Sequence, residues 1–253
     1  MSTFAELVVL SFAMGFSIFL ALPVILLKAS RSRTMTLLNA AAIGILVFLL
    51  ADIFSDVSPI IYTSGGYVAN GGFAIAFFLA VALCFGLLFL LEHRPTSRTS
   101  FTPLTTSLIV AIAIGFQNLT EGLVFGAAWA AGAVALSTVV FVGFFLQNIT
   151  EGFPITSPLL GKSERRLGLI SGFFLVGGIP TIVGGVAGYF YNSAFLVVIF
   201  DALAIGAILY CLLPMLRVAL RPADPPEATY TKQRLVYLGV AIGFLLGFAV
   251  NAV

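Results

Sequence analysis

Charged side chains are scarce. Asp, Glu, Lys and Arg make up 9% of the 253 residues, against roughly 25% in a soluble globular protein. Twelve basic and ten acidic residues cannot cover the surface of a water-soluble fold of this size, so the soluble, disordered and secreted disulfide-rich classes are excluded. Histidine occurs once, at His93. A catalytic zinc centre usually takes three protein ligands rich in His, so an intramembrane metallohydrolase is not expected, and the chain reads as no enzyme. Cysteine occurs only at Cys84 and Cys211, both inside apolar runs; two such thiols read as core packing, not as a disulfide framework. No nucleic-acid motif or basic patch suited to nucleic acid is present. The opening Met-Ser-Thr-Phe-Ala-Glu lacks a basic segment, so the first apolar run is expected to stay as a span and not to be a cleaved signal peptide.

What fills the chain instead is apolar. Hydrophobic residues make up 60% of it, and the mean hydropathy is +1.15. A membrane-spanning helix needs about 20 apolar residues. The apolar runs give eight spans, at 4–27, 37–56, 72–91, 104–130, 134–160, 167–190, 194–216 and 235–252, which leave little length for any folded extramembrane domain. The expected fold is all-α, a single transmembrane domain over residues 1–253 forming a polytopic integral membrane protein with eight transmembrane helices.

The basic residues orient it. Lys28, Arg31, Arg33, Arg94, Arg98, Lys162, Arg165, Arg166, Arg217, Arg221, Lys232 and Arg234 each fall after an odd-numbered span and before the next even one. Positive-inside bias puts those loops in the cytoplasm, so both termini are expected to be extracytoplasmic. The longest of these loops, 217–234, carries Pro222, Pro225 and Pro226 and reads as an extended linker. The loop at 57–71, with Pro59, Gly65, Gly66 and Asn70, reads as a polar external turn.

One internal repeat stands out. Gln117-Asn118-Leu119-Thr120-Glu121-Gly122 in span four returns 30 residues later in span five as Gln147-Asn148-Ile149-Thr150-Glu151-Gly152. Both copies lie near the middle of their spans, on helices of opposite direction, and so can meet at one depth. A carboxylate at a helix centre costs roughly 2.5–3.5 kcal/mol on insertion scales, and lipid satisfies no amide. Such residues persist where they pair, bind something or line a wet path. Gln117 and Glu121 are four apart and share a face, while Asn118 and Glu121 are three apart on an adjacent strip. Two facing copies offer two carboxylates and four amide oxygens to one or two cation sites. Gly122 and Gly152 allow close helix approach, and Pro154 can distort span five beside the site. The glycosylation sequons inside the motif lie within the bilayer and are discarded.

These residues resemble the ZIP (zinc-iron permease) family of divalent metal transporters, which has eight helices, both termini outside and a His-Asn-x-x-Glu-Gly type motif on helix four, with a related motif ending in Glu on helix five. Fainter similarities are Phe48-Leu49-Leu50-Ala51-Asp52 in span two, Ser171-Gly172 with Pro180 in span six, and Ala207-Ile208-Leu209-Tyr210 with Pro214 in span seven. The resemblance implies a binuclear-like metal site of Gln117, Asn118, Glu121, Gln147, Asn148 and Glu151. This chain departs from the family where Gln117 replaces its metal-binding His, where Ile179 stands at the usual helix-six acid, and where a His-rich loop is reduced to His93. Only oxygen donors remain. Zn2+ favours imidazole and thiolate, whereas Mg2+ and Mn2+ accept carboxylate and carbonyl oxygen. Preference for a harder ion, weak Zn2+ binding and loss of transport all stay open.

Three further acids are pathway candidates. Asp52 and Asp56 near the outer end of span two could draw cations to an entrance or simply sit at a solvated helix end. Asp201 lies deeper, inside span seven, and reads as pathway lining. In span six, Gly184 and Gly188 have the spacing of close-packing membrane helices. The expected function is transport of divalent metal cations (Zn, Mn, Fe or similar, as substrate and not cofactor) across the cell membrane into the cytoplasm. The expected partners are the lipid bilayer and that cation, with a homodimer as one allowed assembly and no nucleic acid. The alternatives are a non-transporting ZIP-like sensor or scaffold, and a proton-coupled transporter of a small solute.

Overall fold

A computed structural model describes residues 3–23, 32–62, 70–93, 102–160, 167–191, 193–222 and 228–251. These form eight α-helices and no β-strand among the described residues. The helices are α1 (Phe4–Phe16, continued by a 3-10 turn at Ser17–Ala21), α2 (Ser32–Ile61), α3 (Gly71–Glu92), α4 (Pro103–Ala130), α5 (Val134–Thr156, followed by a 3-10 turn at Ser157–Leu159), α6 (Leu167–Phe190), α7 (Ala194–Leu220) and α8 (Thr229–Asn251). Seven are long and apolar enough to cross a membrane. The eighth, α5, has 23 residues and carries the second copy of the polar repeat.

Local chemistry sets the ends. At α1, Thr3 and Glu6 form a reciprocal capping box, with bonds of 3.2 Å and 2.7 Å, which satisfies two otherwise orphaned N–H groups. At α4, Thr102 caps the Thr105 amide and Pro103 occupies the first turn, where its missing N–H costs nothing. Between spans four and five the chain turns at Ala131-Gly132: Gly132 has φ 68°, the left-handed conformation that only glycine adopts readily. It reverses the chain between the two copies of the repeat. Three helices outrun their apolar spans: α2 starts at Ser32 and ends at Ile61, so that Pro59 lies inside the helix and not in an external turn, α7 ends at Leu220, and α8 starts at Thr229. Arg33, Thr34 and Lys232 continue the helical turns, because the helix ladder runs on past the hydrocarbon edge. Of the orienting residues, Lys28, Arg31, Arg94, Arg98, Lys162, Arg165 and Arg166 lie outside the described residues, as do Gly65, Gly66, Pro225 and Pro226.

Glycine decides the tightest packing. A Cβ on Gly184 or Gly188 would run into the carbonyls of Leu119 and Leu123 on α4, and one on Gly178 into Gly15 of α1. α6 is therefore a thin helix wedged between α1 and α4. The contact order makes α6 parallel to α4 and antiparallel to α1, as an up-and-down chain requires. α2 packs along α8, and α3 along α7. α4 and α7 are the most buried helices, whereas α3 and α8 turn apolar faces such as Leu79, Leu83, Leu238 and Leu245 outward, as helices facing lipid do.

Candidate functional site

The two copies of the repeat meet in the middle of the bundle, antiparallel. Gln147 Nε2 of α5 donates to Glu121 Oε1 of α4 at 2.8 Å, and Asn118 Nδ2 of α4 donates to Glu151 Oε2 of α5 at 3.0 Å. Asn118 Nδ2 also lies 2.7 Å from Asn148 Oδ1 and 3.0 Å from the Gly177 carbonyl of α6. Within α4, Gln117 Nε2 donates to the same Glu121 Oε1 at 2.9 Å, the bond expected of residues four apart on one helix face. All six side chains are buried, each at most 4% exposed.

Donors run out before acceptors do. Gln117 Oε1, Asn118 Oδ1, Glu121 Oε2 and Gln147 Oε1 are buried without a hydrogen-bond partner among the described residues. Each amide spends its N–H groups on carboxylates, amides or a backbone carbonyl, which leaves its own oxygen bare. Turning the Gln117 or Gln147 amide over would set oxygen against carboxylate oxygen, so the carboxylates fix the amide orientation. An unsatisfied buried acceptor costs about 1–3 kcal/mol, and four cluster on one motif. Among the described residues no three His, Cys, Asp or Glu side chains group in metal-binding fashion. A cation here would be held by carboxylate and amide oxygens together.

The pathway acids divide. Asp201 of α7 is buried and joins the repeat directly, accepting from Thr120 Oγ1 at 2.6 Å. Asp52 is half-buried on α2 and acts electrostatically on Glu121, Glu151 and Asp201. Asp56 is exposed, one turn inside the end of α2, and acts on Glu121 and Asp201. The hydrogen-bond partners of Glu121, Glu151 and Asp201 are neutral amides and a hydroxyl, so among the described residues no cationic side chain in the network offsets the charge these acids carry when ionised. Gly122 and Gly152 do not bring the two copies together. Gly122 faces Thr181 and Gly185 of α6, and Gly152 faces Ala21, Ile18 and Phe174. Four residues per turn cannot all point one way, and the carboxylates take the face between α4 and α5.

Sequence reasoning passed over Thr120, although its place inside a duplicated polar motif marked it. It also passed over a cavity of about 370 Å3 at the helix ends that carry Arg33, Arg217 and Lys232. Its polar lining comes from Thr36, Asn39, Thr106, Ser157 and Lys232, with Ser157 Oγ donating to Asn39 Oδ1 at 3.0 Å. Thr36 and Asn39, three residues apart in the first turns of α2, were the available signal. Cys211 is buried and Cys84 half-buried, both free, and His93 is exposed at the end of α3.

Comparison with protein-family models and with curated proteins finds no match to this chain.

Proposed function

We propose that the chain is a multi-pass transporter of divalent metal cations, similar to the ZIP family, with Glu121 and Glu151 at the centre of its ion site. The observation that carries this reading is the group of four bare, buried oxygens around two carboxylates with neutral partners. Cross-helix pairs such as Gln147–Glu121 and Asn118–Asn148 also suit a scaffold that bridges helices, but a scaffold gains nothing from acceptors left bare beside them. Intramembrane acids that face the bundle interior mark ion or proton paths by default.

The rest of the fold is compatible with movement. α1, α4, α5 and α6 pack as one group around the site, while α2, α3, α7 and α8 pack along them. Rocking of one group against the other would open a midplane site to each side in turn. The polar cavity lies at the basic helix ends, which positive-inside bias assigns to the cytoplasm, and supports an exit on that side. Both termini then face outward in the cell membrane, with all eight helices spanning.

Uptake of radioactive Mn2+ or Zn2+ into proteoliposomes tests the proposal. Glu121→Gln and Glu151→Gln together should abolish it. Full uptake by the double variant would sink the assignment, and uptake of a solute driven by a pH gradient without metal would favour the proton-coupled alternative.

A further inference from the structure

The two copies of the motif are nearly identical in sequence and unequal in their surroundings. Among the described residues, Gln117 Oε1, Asn118 Oδ1 and Glu121 Oε2 of the first copy are all without a donor, and of the second copy only Gln147 Oε1 is. Asn148 Oδ1 accepts from Asn118, and Glu151 accepts from Asn118 through Oε2 and from Gln147, at 3.5 Å, through Oε1. The threonines also differ. Thr120 Oγ1 reaches Asp201 as well as the Gln117 carbonyl, while Thr150 Oγ1 donates back to Gln147 O at 2.8 Å.

Resting on the transport reading, we infer that the duplicated motif builds one cation site and not two. Its ligands are Gln117 Oε1, Asn118 Oδ1, Glu121 Oε2 and Gln147 Oε1. Glu151 and Asn148 are positioning residues: they hold the N–H groups of Asn118 and Gln147 and thereby aim the bare amide oxygens. Glu121 as ligand and Glu151 beside it, when ionised, match the two charges of one divalent ion, with Asp201 held apart from the bare oxygens on the Thr120 hydroxyl. The donor set names the ion class. Mn2+ and Mg2+ take oxygen ligands in octahedral shells and keep water in the remaining positions. Four protein oxygens leave two such positions, and there is no imidazole or thiolate to select Zn2+.

The test is a titration of Mn2+ into the purified full chain in detergent micelles, with free and bound ion counted by electron paramagnetic resonance. One Mn2+ per chain is expected, displaced by Mg2+, and displaced by Zn2+ only when Zn2+ is present at a concentration comparable to that of Mn2+. Glu121→Gln should weaken binding by more than about 100-fold, and Glu151→Gln by about 10-fold, the lower end for groups that orient a ligand. At saturating ion, Glu151→Gln should leave the bound Mn2+ spectrum unchanged, because it removes no ligand, whereas Gln117→Met should alter it. Two ions per chain, equal losses in the two Glu variants, or a changed spectrum in Glu151→Gln would overturn the single site while leaving transport standing. Displacement by far less Zn2+ would overturn the oxygen-donor set. Failure of the unmodified chain to bind Mn2+ or Zn2+ at all would take the transport reading with it.

Discussion

Thr120 Oγ1 stands 2.6 Å from Asp201 Oδ1, and this hydrogen bond ties the first copy of the repeat on α4 to the buried acid of α7. A hydroxyl has one hydrogen to give, and Thr120 Oγ1 also lies 2.7 Å from the Gln117 carbonyl, so it shares that hydrogen between its own helix and Asp201. Its counterpart Thr150 serves only its own helix among the hydrogen bonds of the described residues.

That difference makes equivalent positions respond unequally. Thr120→Val keeps the branched shape and removes the one donor that Asp201 has among the described residues. The expected loss is about 1–3 kcal/mol, the cost of a buried acceptor left unmade. Thr150→Val loses one local bond and should cost clearly less. Thermal unfolding in detergent reads both, and Thr120→Ser should recover most of the loss. Equal melting temperatures for the two Val variants would remove Asp201 from the network.

The α4–α6 contact predicts a contrast along a single helix. A Cβ at Gly184 meets the α4 backbone, whereas one at Gly172 meets none of the described residues within 4 Å. Gly184→Ala should therefore destabilise the protein by about 1–3 kcal/mol, as overpacking does. Gly172→Ala should be neutral or slightly stabilising, since alanine is the better helix former. The same unfolding measurement decides, and a tolerated Gly184→Ala would mean that α6 does not sit so close to α4.

Accessibility of the polar cavity checks orientation and exit together. With Cys84 and Cys211 replaced by Ala, Asn39→Cys should react with a membrane-impermeant maleimide added from the cytoplasmic side, and Mn2+ uptake should fall once it is labelled. Mass spectrometry of right-side-out and inverted vesicles separates the two faces. Labelling from the outside alone would reverse the topology drawn from the basic residues.

Much of this protein was legible in its residues because membrane insertion is a one-dimensional constraint. Apolar length, the Gly132 break and the alternation of charge are properties of consecutive residues, and the helices follow them closely, with α3 at Gly71–Glu92 against an apolar run at 72–91. The ends of α2 and α8 were less legible, because helical hydrogen bonding does not stop where hydrophobicity does. The glycines were read as close-packing residues; their partners were not, since a packing partner depends on which helix arrives at that face. Gly184 and Gly188 found α4, and Gly122 and Gly152 found α6 and α1 instead of each other.

By itself the sequence determined that a scarce set of acids and amides would lie inside an all-helical bundle, and that two copies of Gln-Asn-x-Thr-Glu-Gly would cross at one depth. Only the tertiary structure decided which atoms of those copies are satisfied. Identical side chains carry identical donors and acceptors, but α6 brings Gly177 to Asn118 and α7 brings Asp201 to Thr120. Hydrogen bonds are divided among whatever neighbours the packing supplies. That division leaves bare three oxygens of the first copy and one of the second, an asymmetry that a repeat read along the chain cannot contain.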